Sequence, residues 1–264
     1  MNILAIGAHP DDIELGCGGL LLKAVSHGHK VFAYTLTRGD ASGDPFRRVQ
    51  ELLGSAEAMR VQTAWIDNFE DTELALSSHL INHIEYFISK SQADVIYTHS
   101  RNDTHHDHRA VAESTLEAGR FVPNILSYEM AVTKDFNPQV YYDISGVLDS
   151  KISLINIFLS QKDKMFIKNN AIKGLAQYRA LQSRLGSSIT AVEAFEVLKL
   201  GFADDFKLLN FERYDQQIRN CKTNAKYLED ISDVIEYSPA KMKREEFFLR
   251  SRSHSGILSS GLHT

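Results

Sequence analysis

The amino-acid sequence predicts an α/β fold built around a mainly parallel β-sheet, and two observations carry this prediction. From Asn2 to about residue 130, short runs rich in β-branched and aromatic residues alternate with longer amphipathic runs, which is the pattern of repeated βαβ units. The first short run, Asn2–Gly7, contains no charged residue. Such a run is typical of a strand buried on both faces of a parallel sheet.

The strands and helices follow in order from this alternation. Strands are predicted at Asn2–Gly7, Lys30–Thr35, Val61–Ile66, Asp94–Thr98 and near Ile125–Met130. Helices are predicted between them at Gly16–His27, Phe46–Met59, Leu76–Ser91 and Asp107–Gly119. Helices on both faces of one parallel sheet make a Rossmann-like three-layer sandwich, which is the predicted architecture.

The later part of the chain is less regular. Helical runs are predicted at about Ser145–Gln161 and Asn169–Leu185, and a short element near Ala194–Lys199. From about residue 205 the sequence becomes more polar, and residues 251–264 are rich in Ser, Gly and His, as in weakly structured tails. We therefore predict a main domain over residues 1–205 and a C-terminal helical extension with a flexible tail over residues 206–264.

Composition excludes several classes of protein. A formal net charge of -5 over 264 residues gives no basic surface for nucleic acid or an anionic membrane. No apolar run approaches the ~20 residues of a membrane helix, and the N-terminus lacks the basic start of a signal peptide. Cys17 and Cys221 are the only cysteines, which favours a reducing, cytoplasmic location. The sequence leaves homo-oligomerisation open.

The loop after the first predicted strand concentrates ionisable side chains. Ala8–Glu14 reads AHPDDIE, which places one imidazole and three carboxylates within six residues. A polar turn in which an aspartate caps the next helix is the alternative, but a cap needs only one such residue. In open α/β sheets, ligands bind beyond the carboxyl ends of the strands. The loop is therefore a candidate functional site.

A second polar loop follows the fourth predicted strand and ends in His105-His106-Asp107-His108. Taken alone, it would be a solvated loop. Because both loops follow strands of one parallel sheet, we expect them to meet at one edge, where His9, Asp12 and His108 could hold a divalent metal. Imidazole and carboxylate ligands suit zinc, and three ligands leave a position open for water or substrate.

The remaining carboxylates of the first loop suggest further roles. A metal of this kind lowers the pKa of bound water to about 7 and polarises a carbonyl group. Asp11 is then a candidate general base, because adjacent Asp11 and Asp12 cannot both point the same way in a tight loop. Glu14 begins the following helix, where a carboxylate suits the helix dipole, and it could orient His9.

The two loops together resemble a known family. Ala8–Glu14 is similar to the AHPDDxE motif of the LmbE-like (PIG-L) zinc N-deacetylases, and His105–His108 is similar to their second motif, which ends in HxDH. The likeness continues through Arg48–Glu51, Asp71–Leu74 and Ala191–Phe195, and so covers roughly residues 1–200 in the expected order. Relatives act on N-acetylglucosaminyl phosphatidylinositol and on bacterial thiol-cofactor precursors.

The resemblance implies a zinc-dependent hydrolase that removes an N-acetyl group from a small amino-sugar substrate. The implied roles are metal ligation by His9, Asp12 and His108, and proton transfer by Asp11. His105 would stabilise the oxyanion or protonate the leaving amine, with Asp107 orienting it. His106 stands where relatives usually carry proline, so it could compete with His108 as a ligand.

Candidate substrate contacts and competing functions complete the prediction. Arg38, Asp40, Arg48 and Glu14 are the candidate substrate contacts. Fe²⁺ is the alternative to zinc. The competing functions are an amidase acting on a non-sugar N-acyl metabolite such as an antibiotic, and a non-catalytic sugar- or nucleotide-binding module. The GxGxxG pattern of dinucleotide-binding proteins is missing, because Gly16-Cys17-Gly18-Gly19 has the wrong spacing.

Overall fold

A computed structural model describes residues 1–201 and 231–239 of the chain. The strands in these residues are β1 Asn2–Gly7, β2 Lys30–Thr37, β3 Thr63–Phe69, β4 Val95–His99, β5 Asn124–Tyr128, β6 Val140–Asp143, β7 Val192–Lys199 and β8 Ile235–Tyr237. The α-helices are α1 Asp12–Ser26, α2 Pro45–Met59, α3 Ser78–Ser91, α4 His106–Ala118, α5 Leu148–Ile155 and α6 Asn169–Ser183. Short 3-10 turns lie at Asp40–Ser42, Leu159–Gln161 and Met165–Ile167.

The strands form one mixed sheet in the order β6-β7-β5-β4-β1-β2-β3-β8. The five central strands, β5 to β3 in this order, are parallel. On one side β7 pairs antiparallel with β5 and β6 pairs antiparallel with β7, and on the other side β8 pairs antiparallel with β3. The chain leaves β1 in one direction to β2 and returns on the other side as β4, so the order reverses between β1 and β4. Open α/β sheets bind ligands at such a switch point. Both predicted site loops begin there.

The core lies on both faces of the sheet because alternate residues of a strand point to opposite sides. On β1, Ile3 and Ala5 belong to a cluster with α1, α2 and α5, whereas Leu4 and Ile6 belong to a cluster with α3 and α4. Burial on both faces explains why β1 is apolar from Ile3 onward. The predicted Rossmann-like three-layer sandwich with a mainly parallel sheet is confirmed.

The structure differs from the prediction mainly after residue 130. Strand β6 was not predicted, and the predicted helix over Ser145–Gln161 ends at Ile155, followed by tight turns that bury Phe158. The predicted C-terminal extension over residues 206–264 lies mostly outside the described residues, including its tail. Strand β8 was not predicted, and it pairs with β3 at one edge of the sheet. The two-domain division stays a prediction.

Among the described residues, no helix combines the length and apolar character needed to cross a membrane.

Candidate metal centre

A cavity of about 440 Å³ opens at the carboxyl edge of the central strands. We call the polar group at its base the cavity floor, which consists of His9, Asp11, Asp12, His105 and His108. We call the opposite side the cavity wall, which consists of Met130, Phe166, Ile172 and Leu175 together with the ion pair between Glu129 and Arg179. The floor comes from the loops after β1 and β4 and from the first turns of the helices that follow them, as the sequence predicts. The wall comes from the residues after β5, from α6 and from the turn before α6.

Three of the floor side chains converge on one point. His108 Nε2 lies 3.3 Å from His9 Nδ1. The Asp12 carboxylate bridges the two imidazoles, with Oδ1 at 3.4 Å from His108 Nε2 and Oδ2 at 3.3 Å from His9 Nδ1. All three residues are buried. The predicted ligand set is therefore brought together, although its residues lie up to 99 positions apart in sequence.

This donor set fits a divalent metal. A tetrahedral ion with bonds of about 2.0–2.1 Å separates its ligand atoms by about 3.3–3.4 Å. The two imidazole nitrogens are 3.3 Å apart, and each lies 3.3–3.4 Å from one of the two Asp12 oxygens. Two imidazoles and one carboxylate are nitrogen and oxygen donors of the kind that bind zinc and other divalent transition metals. The residues present thus suit the ion that the sequence predicts.

Carboxylates behind His9 fix which of its nitrogens faces the donor cluster. His9 Nε2 lies 3.0 Å from Asp107 Oδ2 and 3.0 Å from Asp71 Oδ1, so the proton is held on this nitrogen and Nδ1 is turned toward the cluster. Asp107 is itself fixed by the backbone N–H groups of Thr72 and Leu74, which donate to its two oxygens at 2.9 and 3.1 Å. The loop after β3 therefore holds Asp107, and through it the His9 ring, in position.

His108 and Asp12 are held in a similar way. His108 Nδ1 lies 3.2 Å from Asp103 Oδ1, which leaves Nε2 to face the cluster. The ring of His99, at the end of β4, stacks on the His108 ring with 3.9 Å between centroids. His99 Nε2 accepts a hydrogen bond from the backbone N–H of Ala8 at 3.1 Å and lies 3.2 Å from Asp12 Oδ2. His99 is therefore a structural support of the site and not part of the cavity lining.

The pKa values show that this cluster favours positive charge at its centre. Burial opposes protonation of His108, but the Asp12 charge and the nearby Asp103 raise the pKa of His108 to about 9. Burial also opposes protonation of His9, yet hydrogen bonds to Asp107, Asp12 and Asp71 raise its pKa well above the usual value. A cation bound between these side chains would replace the protons that the carboxylates attract.

Asp11 has a left-handed backbone conformation, with φ 102°. Its carboxylate lies 3.5 Å from Arg48 Nη2, and Asp11 Oδ2 makes no hydrogen bond within the described residues. Arg48 in turn donates to the carbonyl oxygens of Pro10 at 2.6 Å and Gly39 at 3.1 Å, which ties the loops after β1 and β2 together. Burial, aided by the Asp12 charge, raises the pKa of Asp11 to about 7, so this carboxylate is a base poised near neutral pH.

His105 lies beside the ligand cluster and faces the cavity. Its ring centroid is 4.9 Å from that of His9 and 4.7 Å from that of His108. The backbone N–H of Asp107 donates to His105 Nδ1 at 3.2 Å, so the neutral ring carries its proton on Nε2. Partial burial and the nearby His108 charge lower the pKa of His105, which favours this neutral form.

The structure corrects the predicted roles of Asp107 and Glu14. The Asp107 carboxylate contacts His9 rather than His105, and only its backbone N–H reaches the His105 ring. Glu14 does not orient His9, because its carboxylate accepts a hydrogen bond from Ser55 Oγ on α2 at 2.6 Å and lies outside the cavity lining. Burial raises the pKa of Glu14 to about 7.

Of the candidate substrate contacts, some line the cavity and others do not. Arg38 donates to the backbone carbonyl of Asp233 at 2.9 Å, and neither Arg38 nor Asp40 lines the cavity. Arg48 does line it, but its guanidinium hydrogen bonds go to the surrounding loops. His106 is turned outward, with its Nε2 2.6 Å from the Thr72 carbonyl oxygen, so it lies outside the candidate ligand groups.

Sequence reasoning missed several residues of this centre. Asp71 and Asp103 support the two imidazole ligands, and both stand in polar loops directly after strands, the position that pointed to His9. Lys151 was also missed, and it lines the cavity in a buried ion pair with Glu193, which lies in the family-like segment Ala191–Phe195. Phe195 and Trp65 are buried in the core.

The chain is similar to known deacetylases over the part that holds this centre. Residues 4–119 match the family described as PIG-L, GlcNAc-PI de-N-acetylase. The uncharacterised deacetylase YaiS of Escherichia coli (strain K12) is 35% identical over 157 residues, a match that spans 54% of this chain and 82% of YaiS. The chain belongs to the PIG-L (LmbE-like) family. Diacetylchitobiose deacetylase of Thermococcus kodakarensis is a further relative, 27% identical over 61% of this chain and 70% of its own length.

Several solved structures share the fold of this chain. The conserved protein TT1542 from Thermus thermophilus superposes with a TM-score of 0.70 at 21% identity, over 79% of this chain and all of that one. The zinc-inhibited form of teicoplanin deacetylase Orf2 has a TM-score of 0.61 at 17% identity, over 78% and 100%. GalB, the 4-carboxy-2-hydroxymuconate hydratase from Pseudomonas putida KT2440, has a TM-score of 0.68 at 16% identity, over 77% and 99%. The fold therefore serves more than one reaction, and function must be argued from the site.

Proposed function

We propose that this protein is a metal-dependent N-deacetylase that hydrolyses the N-acetyl group of an amino-sugar-containing small molecule. One observation carries the proposal: His9, Asp12 and His108 present three donor atoms to one point at the base of a cavity, with the buried carboxylate of Asp11 beside them. This arrangement is what hydrolysis by an activated water requires, namely a site for a cation, a base and an open space for substrate.

The donor set favours Zn²⁺, with Fe²⁺ as the alternative. A divalent ion held by these three side chains would polarise the amide carbonyl and lower the pKa of a water molecule. His9 would bind it through Nδ1 and His108 through Nε2, because the other nitrogen of each ring is held by carboxylates behind it.

The protein side chains then divide the proton transfers between them. Asp11 accepts a proton from the attacking water, since its carboxylate makes few contacts and its pKa is about 7. The water oxygen adds to the acyl carbon, and the Nε2–H of His105 donates to the carbonyl oxygen as negative charge develops there. When the C–N bond breaks, the proton held by Asp11 passes to the amine, which leaves as acetate is formed.

The proposed substrate class rests on relatives and on the size of the site. The Thermococcus kodakarensis relative deacetylates diacetylchitobiose, according to its name. A cavity of about 440 Å³ is within the range of about 300–1,000 Å³ that small-molecule sites occupy. It is large enough for an N-acetylated sugar unit. We propose a small-molecule substrate rather than a macromolecular partner, and a cytoplasmic location.

The test couples metal analysis to an assay of acetate release. Purified protein is stripped of metal, reloaded with Zn²⁺ or Fe²⁺, and offered N-acetylglucosamine, diacetylchitobiose and non-sugar N-acetyl amines. We expect about one ion per chain and metal-dependent release of acetate and amine from the sugars. Turnover only of the non-sugar amides would move the substrate class to the amidase alternative. Sugar binding without turnover at any metal loading would show a binding module and overturn the proposal.

A further inference from the structure

Helix α1, which begins with the proposed ligand Asp12, is broken one turn further on. Cys17 has φ -141° and ψ 15°, outside the helical range. In an unbroken α-helix the N–H of Gly19 would donate to the carbonyl oxygen of Leu15. In this protein both groups of that hydrogen bond have other partners, and the partners come from two different elements.

A single buried ion pair supplies both partners. Glu193, at the start of β7, accepts hydrogen bonds from the N–H groups of Gly19 at 2.8 Å and Leu20 at 2.7 Å. Lys151, on α5, donates to the carbonyl oxygen of Leu15 at 2.7 Å. Lys151 and Glu193 also contact each other at 2.7 Å. The pair is thus inserted into the hydrogen-bond ladder of α1, which is a recognised cause of a sharp helix kink.

The residues around the break in α1 are packed in a way that fixes the angle between the two parts of the helix. Lys151 and Glu193 are each 5% exposed. Buried ion pairs add little net stability compared with apolar residues, so the contacts that this pair makes with the α1 backbone matter more here than its contribution to stability. Gly16 allows close packing on one side, because a Cβ there would overlap the ring of Tyr128. The same Tyr128 donates to the carbonyl oxygen of Ile6, at the end of β1, at 2.8 Å.

We propose that the Lys151–Glu193 pair holds the break in α1 at a fixed angle. The pair thereby fixes the direction of the first helical turn, which places Asp12 at the metal centre. The two residues are positioning residues, since they contact the helix backbone and not the proposed ligands. This inference rests on the proposed function, because it assigns the pair a role in holding the geometry of that metal site.

The test is a charge-neutral replacement of the whole pair, Lys151→Met with Glu193→Gln, which avoids leaving one buried charge alone. The matched control is Lys23→Met with Asp143→Asn, because Lys23, on the far half of α1, forms an ion pair at 3.5 Å with Asp143 of β6. Zn²⁺ affinity is measured by competition with a chromophoric chelator, and Co²⁺-loaded protein gives a visible spectrum that reports ligand geometry.

We expect the Lys151/Glu193 variant to bind Zn²⁺ about 10–100-fold more weakly, the usual effect of losing groups that orient metal ligands. Its Co²⁺ spectrum should change and kcat should fall, while the control should match the wild type in all three. Unchanged Zn²⁺ affinity and an unchanged Co²⁺ spectrum would overturn the inference. A rise in KM without any change in Zn²⁺ affinity would also overturn the inference, since it would show that the pair contacts substrate.

A pair of glycine substitutions keeps the inference testable if the double variant fails to fold. A Cβ on Gly19 would lie 3.0 Å from Glu193 Oε1 and 2.8 Å from Ile144 Cγ2, whereas a Cβ on Gly18 has no neighbour closer than 3.8 Å. Gly19→Ala should displace the carboxylate and weaken Zn²⁺ binding by about tenfold, while Gly18→Ala should not. Equal affinities in these two variants would contradict the inference. Wild-type protein that binds no metal would instead count against the proposed function.

Discussion

The cavity floor and the cavity wall are built on different principles. Every residue of the floor is titratable, and the proposed ligands are each fixed by a neighbouring carboxylate, imidazole or backbone group. The wall is mainly apolar, and its charged members, Glu129 and Arg179, satisfy each other. From this difference we infer that the floor determines the chemical reaction, whereas the wall determines which substrates fit the cavity. Floor variants should change metal binding or kcat, and wall variants should change KM.

The largest expected effect comes from removing a proposed ligand of the floor. His108→Ala should lose bound metal and lower kcat/KM by at least about 10³-fold, because a metal supplies several kcal/mol of transition-state stabilisation and about 1.4 kcal/mol is a factor of ten. Metal content by elemental analysis and acetate release measure the two effects. His106→Ala is the matched control, since His106 is turned outward. Retained zinc in His108→Ala together with lost zinc in His106→Ala would reassign the ligand.

A smaller effect should follow when the floor keeps its metal but loses its base. Asp11→Asn preserves the shape of the side chain and tolerates the left-handed backbone at this position. We expect near-normal metal content with kcat reduced by about 10²–10⁴-fold, the usual contribution of a general base. The variant is assayed with saturating metal and substrate. Full activity would show that another group takes the proton.

The wall should respond in KM rather than kcat. Leu175 lines the cavity from α6, whereas Leu181 lies on the same helix with its side chain 78% exposed. Leu175→Ala should raise KM by about tenfold with little change in kcat, since truncating one apolar contact costs about 1–3 kcal/mol of binding. Leu181→Ala should leave both constants unchanged. A fall in kcat at constant KM for Leu175→Ala would break the division between floor and wall.

The smallest effect concerns stability beneath the floor. Burial raises the pKa of Glu14 from 4.5 to about 7, so the folded state holds the proton more tightly than the unfolded chain. This stabilisation is complete below about pH 4.5 and is lost as pH rises toward 7, by on the order of 1–3 kcal/mol. Glu14→Gln stays neutral, so its free energy of unfolding should fall less between pH 5 and pH 8.

Urea denaturation at both pH values measures this difference in slope. The exposed Glu117→Gln on α4 serves as the control and should follow the wild type. An identical slope in the wild type and in Glu14→Gln would show that the Glu14 carboxyl does not titrate in this range.

The same contrast explains how far the sequence could predict the structure. The central sheet and its helices were predictable, because apolar runs such as Asn2–Gly7 and helical periodicity over Leu76–Ser91 are local patterns. The floor was predictable because its chemistry is concentrated in two short segments after strands. The proposed roles of these residues remain to be tested by the variants above.

The wall and the contacts that support the ligands could not be predicted from the sequence. Glu129 and Arg179 come from separate elements 50 positions apart, and each would serve equally well as a solvated residue. Asp107 was expected to orient His105, but the loop after β3 holds its carboxylate against His9, and that loop's position depends on tertiary packing. The strands β6 and β8 are four and three residues long, too short for a period of two to stand out.

Strand β8 has a practical consequence for anyone who shortens the chain. It pairs antiparallel with β3, and Glu236 on it contacts Trp65 Nε1 at 3.2 Å and Lys90 Nζ at 2.6 Å. Truncation at the predicted boundary near residue 205 would bare the hydrogen-bonding edge of β3 to solvent. Exposed strand edges recruit other strands, so the shortened protein should aggregate through this edge even with an intact cavity.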